Sequence, residues 1–269
     1  GQAAKALGGP RALAHCFARP DGENQPPDSS CRWMKVGGNV TGSRYSTAMK
    51  HIFERIYANN DWAHGSGEGS LPTHTRPYVA FLQKFLRRHS ISSVVDFGCG
   101  DWQFSRFVDW SRTTYLGYDV VGSVISANRS RYQTSQISFH EVGAPPFDLP
   151  AADLLIIKDV LQHWSDRAIL DFLPVLANFR FALITNCVNP FGVTENLPIA
   201  DGGFRYLDVR LNPFHLDARE VFSFSNRRTL WDVPFGRPRW VKKVLLIENT
   251  GSFRQTLQSR YEHRLPERR

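Results

Sequence analysis

No run in these 269 residues approaches the ~18–20 consecutive apolar residues that a membrane-crossing helix needs, so no helical span is expected. Cysteine is scarce: Cys16, Cys31, Cys99 and Cys187 include no C-x-x-C pair and no dense framework. That argues against a zinc site and a disulfide scaffold, and it leaves the compartment open, leaning to the cytoplasm. His64 and His74 lack the further ligands at the spacing that zinc requires. No Ser-His-Asp constellation or paired-carboxylate signature is evident either. Acidic residues are outnumbered, 25 Asp and Glu against 33 Lys and Arg, for a net charge of +8. The surplus lies mostly in the ends: residues 1–43 carry +2 and residues 251–269 carry +3, so the body has an ordinary balance. Solvated basic tails explain such a distribution more readily than a nucleic-acid surface does.

What is present suits a globular enzyme. Apolar residues make up 42% and aromatics 13%, enough for a sizeable core. Residues 1–43, rich in Gly, Pro, Ala, Arg and Ser, read as a flexible extension. The first twenty are basic without acids, which leaves room for the remnant of a targeting segment. The sequons at Asn39 and Asn128 are short enough to arise by chance.

Residues 44–90 read as a helical cap. Met49, Ile52, Phe53, Ile56 and Tyr57 follow a helical stripe, as do Tyr78, Phe81, Leu82, Phe85 and Leu86. The second helix is expected to start at Thr75, with Pro77 in its first turn. Between them, Trp62 and the glycine-rich loop 65–70 form a candidate lid over a bound ligand.

From residue 91 to 249 the pattern alternates. Strands are expected at 91–96, 115–119, 137–141, 153–159 and 181–186. Helices are expected at 102–110 and 122–132, with another following a Ser165 cap. A long loop, 189–214, precedes two strands at 221–226 and 240–249 that read as an antiparallel edge pair. The expectation is a doubly wound α/β, Rossmann-like sheet of seven mostly parallel strands with the last antiparallel. Residues 250–269 form a basic tail.

Chemistry concentrates at Ser92-Ser-Val-Val-Asp96-Phe-Gly98-Cys-Gly100-Asp101-Trp102. A buried strand there runs into a tight glycine turn and, on this reading, into a helix whose free N–H groups face a crevice. A dinucleotide fold would place a third glycine at Gln103, and a bulky amide argues against NAD or FAD. Asp119, closing the next strand, offers two acceptor oxygens that can hold a vicinal diol. Lys158-Asp159-Val-Leu-Gln-His163-Trp164 follows the fourth strand at the sheet's ligand-binding edge. An imidazole such as His163 titrates near ~6.5, in the range of a general base.

Together these residues resemble the class I S-adenosylmethionine-dependent methyltransferases. Val95-Asp96-Phe97-Gly98-Cys99-Gly100 is similar to their first motif, and a less studied microbial branch resembles residues 57–70 as well. The resemblance implies S-adenosyl-L-methionine as cofactor, with Asp96, Gly98 and Gly100 around its amino-acid end and Asp119 on its ribose. Asp101, Trp102, Val120, Lys158 and Trp62 are further candidate contacts. Near the adenine, Glu141 or Asp148 could serve, or neither. It also places His163 beside the methyl acceptor as a base, with Asp159 orienting it or binding substrate. A small molecule or glycan methylated on oxygen is the leading expectation. An RNA methyltransferase using Arg227, Arg228, Arg237, Arg239, Lys242 and Lys243, or a cofactor-binding subunit without activity, are the rivals.

Overall fold

The computed structural model describes residues 42–143, 147–226 and 240–249. Seven strands form one sheet: β1 (Ser93–Phe97), β2 (Thr114–Asp119), β3 (Ile137–Glu141), β4 (Ala152–Lys158), β5 (Phe179–Val188), β6 (Arg219–Ser225) and β7 (Val241–Glu248). Their order is β3-β2-β1-β4-β5-β7-β6. The first five pair in parallel, and β7 lies between β5 and β6, antiparallel to both. The sequence expectation of an antiparallel last strand therefore holds. The long loop between β5 and β6 is also as expected, carrying no helix or strand from 189 to 218.

The parallel strands are apolar because both faces are covered. Leu154, Leu155, Ile156 and Ile157 of β4 are all fully buried, and alternate residues feed two separate cores. Helix α1 (Gly42–Asn59) sends Met49, Phe53 and Ile56 into the core containing Leu155 and Ile157. Helix α2 (Pro72–Arg88) sends Tyr78, Leu82, Phe85 and Leu86 into the other core, with Leu154 and Ile156. Helices α3 (Gly122–Tyr132) and α4 (Asp166–Phe172) cross between strands, and Ser165 caps α4 by accepting from Ala168 N at 3.3 Å.

Two local expectations fail. α2 begins at Pro72, which occupies the first turn, so Pro77 lies inside the helix. More consequentially, no helix spans 102–110. Only a 3₁₀ turn, Ser105–Phe107, forms there. Trp102 adopts φ 59°, a left-handed value that ends the run, and its indole is buried against Tyr115, Tyr132 and Phe139. Aromatic packing has overridden helical spacing in this segment.

The site rests on the core beneath it. Phe172 is fully buried and meets Phe97, Phe147 and Trp164, the residues that back the glycine turn and the segment after β4. Phe172→Ala should cost about 3–5 kcal/mol. Urea unfolding should show a lower midpoint with an unchanged slope.

Candidate active site at the carboxyl edge of the sheet

The strand order reverses between β1 and β4, and the carboxyl ends of β1, β2 and β4 meet there around a cavity of about 750 Å³ open to solvent. Its wall includes Gly98, Gly100, Asp101, Asp119, Val120, Lys158, Asp159, His163 and Trp62. The structure thus brings nine of the eleven residues singled out in the sequence to one place.

Two are elsewhere. Trp102 belongs to the core on the far face and does not line the cavity, because its left-handed φ turns the indole away. Asp96 lies beneath the turn, 1% exposed, accepting a hydrogen bond from Tyr115 Oη at 2.6 Å. It supports the turn from below and is not part of the lining. Neither Glu141, which pairs with Lys50, nor exposed Asp148 lines the cavity, where Val120 and Val142 stand instead.

The glycine turn is shaped by its protein neighbours as much as by space for a ligand. Gly98 and Gly100 have φ of 75° and 53°, and a Cβ on them would run into Val160 and into Ser66 Oγ. The turn's amides are already engaged. Gly98 N and Cys99 N donate to Tyr118 O, Gly100 N to Asp119 Oδ2 at 3.0 Å, and Asp101 N to Ser66 Oγ at 3.0 Å. Trp102 N donates to Cys99 O. The expected row of free helix N–H groups is therefore absent, and Lys158 is the cation of the lining instead. Asn128 is buried with its Nδ2 donating to Gly100 O at 2.7 Å, so this sequon asparagine braces the turn.

The glycine-rich segment before α2 lies against the site as a strap. Ser66 Oγ bonds Tyr57 Oη at 2.8 Å, Ser66 N donates to Asp101 Oδ2 at 3.4 Å, and Gln103 donates to both Asp101 and the His64 carbonyl. Gly69 O accepts from Lys158 Nζ at 3.2 Å and from Lys242 Nζ at 3.1 Å. Ser66 and Ser70 face the first cavity; Gly67, Glu68 and Gly69 face a second one of about 630 Å³. That second cavity shares Trp62, Ser66, Asp159 and His163 with the first, and it adds Gln162, Phe204, Tyr206, Trp240 and Lys242.

Burial sets the charges. It pushes the Asp119 carboxyl up to about 6, against the N–H bonds from Val121, Gly100 and Val120. It raises Asp96 to about 7, against the Tyr115 bond and the Lys158 charge, and lowers Lys158 to about 8, against Asp159. For Asp159 burial acts upward, but Lys158 and Lys242 outweigh it and hold the carboxyl below its usual range. Its Oδ2 is 2.6 Å from Lys158 Nζ and also bonds Lys242 Nζ. His163 is pushed below the usual imidazole value by burial, against its bond to Gly203 O. That carbonyl, 2.7 Å from Nδ1, can only accept, so Nδ1 carries the proton and Nε2 keeps its lone pair.

Sequence reading missed Lys242 as a site residue, assigning it to a basic stripe for RNA. Its burial, 2% exposed, removes it from such a surface. Lys243 beside it pairs with Glu220 at 2.8 Å, and Arg227, Arg228, Arg237 and Arg239 lie outside the described residues. The signal was available in strand parity: Lys242, Val244 and Leu246 alternate onto one buried face.

No protein-family model matches the chain, and no curated protein matches it. Solved structures do. One is the 1,6-didemethyltoxoflavin-N1-methyltransferase of Burkholderia thailandensis, with its substrate and S-adenosylhomocysteine bound. It is 16% identical, with a TM-score of 0.54, covering 78% of this chain and 92% of that one. Another is an S-adenosylmethionine-dependent methyltransferase of Leishmania major. It is 10% identical, with a TM-score of 0.51, covering 76% of this chain and 83% of that one. The fold is that of the class I S-adenosylmethionine-dependent methyltransferases.

Two desolvated carboxylates with raised pKa values bind protons more tightly folded than unfolded. Their contribution to stability is therefore full below pH ~4 and is lost as pH rises through about 6 for Asp119 and about 7 for Asp96. Asp96→Asn removes one such ionisation. The difference in unfolding free energy between this variant and the wild type, without ligand, should shift in the variant's favour between pH 5 and pH 8. A flat difference across that range would contradict the assignment.

Proposed function

We propose that the chain is an S-adenosylmethionine-dependent methyltransferase that methylates a hydroxyl of a small molecule or glycan. The observation that carries this reading is that two neighbouring cavities share one imidazole in their walls. One cavity lies over the glycine turn, a second one lies beside it, and His163 lines both.

The residues present fit the cofactor. Asp119 uses one lone pair of each oxygen on Gly100 N and Val121 N, at 3.0 Å each, and keeps acceptor capacity for the two ribose hydroxyls. Val120 and Val142 supply apolar contact for a base. Lys158, buried and cationic, suits the methionyl carboxylate, and Asp101 Oδ1 is a buried acceptor without a partner among the described residues. The cofactor supplies a methyl group activated on a sulfonium, transferred in line to the acceptor oxygen.

The chain's own work is to orient and to take a proton. Trp62, 4.9 Å from the His163 ring, and Phe204, at 5.9 Å, fix the imidazole from two sides. The loop carrying Gly203 is anchored in turn. Gly202 N donates to His163 O and Arg205 N to Gln162 O, while Arg205 binds Trp164 O and Asp166. His163 is thus neutral at pH 7, and its Nε2, which takes a 3.3 Å hydrogen bond from Gln162 Nε2, accepts the acceptor's proton once that amide gives way. Holding the reacting atoms in line is worth ~7–11 kcal/mol of barrier in well-oriented systems.

Thermal unfolding with S-adenosylmethionine, S-adenosylhomocysteine and NAD in parallel tests the reading. Either sulfur nucleoside at 100 times its dissociation constant should add ~2.7 kcal/mol, a shift of roughly 5–10 °C. NAD should add nothing, and Asp119→Ala should lose most of the shift. A shift with NAD alone would overturn the proposal. In turnover, His163→Ala should lower kcat by ~10²–10⁴ while S-adenosylhomocysteine affinity stays within a few-fold. Equal loss of both would make His163 a cofactor-holding residue.

A further inference from the structure

Where β4 stops pairing with β5, a side chain takes over. The register between the two strands ends at Lys158 and Thr185. Two residues further along β5, Cys187 N donates to Gln162 Oε1 at 2.7 Å. Gln162 lies in the 3₁₀ turn Leu161–His163 and is 4% exposed, and its own carbonyl accepts from Arg205 N at 3.1 Å. A main-chain N–H can only donate, so the atom facing Cys187 is the amide oxygen and the amide nitrogen points elsewhere. That nitrogen lies 3.3 Å from His163 Nε2. The other ring nitrogen, Nδ1, lies 2.7 Å from Gly203 O, which can only accept. The two ends therefore agree. The Cys187 N–H, the Gln162 amide, the His163 imidazole and the Gly203 carbonyl form one chain in which every link donates in the same direction. Only an imidazole with its proton on Nδ1 completes it. An imidazolium does not fit, because a proton on Nε2 would meet the amide N–H, donor against donor. Of the charged groups facing the ring, Asp159 after β4 favours the imidazolium and Lys242 of β7 opposes it. Glu68 of the strap, Cys187 of β5 and Tyr206 of the long loop line the same cavity. Gln162 stands in the wall of the second cavity and not of the first.

We propose that Gln162 is a positioning residue for His163: its amide, oriented by Cys187 N–H, holds the imidazole with Nε2 unprotonated and yields that nitrogen to the acceptor hydroxyl. This deepens the methyltransferase reading above and rests on it for the identity of the hydroxyl. In the transfer, the acceptor oxygen bonds the methyl carbon as the carbon–sulfur bond breaks, and the electron pair of that bond stays on sulfur. The hydroxyl proton passes to His163 Nε2. The amide is displaced while Nε2 carries that proton and returns once the proton leaves to solvent, which resets His163 as a base.

Nitrogen NMR of the histidine rings, recorded across pH on the ligand-free protein, reads the direction of this chain. Wild-type His163 should carry its proton on Nδ1 and titrate below the usual ~6.5. Gln162→Glu keeps an acceptor for Cys187 N but puts a carboxylate where the donor was, so His163 should titrate higher by about one pH unit or more. Gln162→Met removes the donor without burying a charge and should raise the titration by roughly half as much. It decides the question if the glutamate variant does not fold. In turnover, the acidic limb of kcat/KM should move with the NMR titration, so that Gln162→Glu regains activity as pH is raised. S-adenosylhomocysteine affinity, measured by calorimetry, should stay within about threefold in both variants, since Gln162 does not line the first cavity. A wild-type ring protonated on Nε2, or a His163 titration that neither variant moves, would overturn the proposal. So would a loss of kcat/KM that is equal at every pH, the mark of a merely structural glutamine. If the wild type does not bind S-adenosylhomocysteine, the methyltransferase reading falls, and the NMR titration still decides what the amide does to His163.

Discussion

The binding edge depends on the bonds that Asp119 receives from the backbone. Gly100 N and Val121 N, each 3.0 Å from one of its oxygens, tie the turn after β1 to the end of β2. A carboxylate so deeply buried is expensive to ionise, which is why its pKa rises to about 6. The amide donors of Gly100, Val120 and Val121 are insufficient compensation, and hydroxyl donors from a ribose would add to it. On the proposed reading, the strain of that incomplete solvation favours the ligand: binding supplies what the folded protein lacks. The same bonds fix the glycine turn, so that Gly98 and Gly100 can admit Val160 and Ser66 at close range.

That close approach links the strap to the floor of the first cavity. Ser66 bonds Tyr57 of α1 and Asp101 of the turn, and Gly69 O meets lysines from β4 and β7. Residues far apart in the chain therefore converge on a segment that borders both cavities. On the proposed reading, a strap held at both ends would shield the reacting atoms from water, and Trp62, Asp159 and His163 line both cavities beside it. The charges follow the same plan. Asp159 is kept ionised by two lysines, whereas His163 is kept neutral by burial and given its tautomer by the Gly203 carbonyl.

Most of the fold was readable because its signals are local. Unbroken apolar strands such as Leu154–Ile157, acids closing β1 and β2, and the Ser165 cap each state their role within a few residues. The failures share a cause. Trp102 sits where helical spacing continues, yet three aromatic rings from β2, β3 and α3 draw its indole across the turn. Asp96 looks like a ligand-facing acid, but its partner is Tyr115 on the neighbouring strand. Lys242 looks like part of a basic run and is turned inward by strand parity. In each, one residue's surroundings outweigh the pattern of the run around it; only for Lys242 did spacing, its alternation with Val244 and Leu246, carry the signal.

On the proposed reading, a sulfonium nucleoside lies over the glycine turn with its sugar on Asp119. The most direct measurement is a crystal structure grown with S-adenosylhomocysteine. Both ribose hydroxyls should lie within ~2.5–3.0 Å of the Asp119 oxygens, with the sulfur directed toward the cavity that His163 shares. A nucleoside bound elsewhere, with Asp119 still bonded to backbone amides and to no ribose hydroxyl, would contradict that placement.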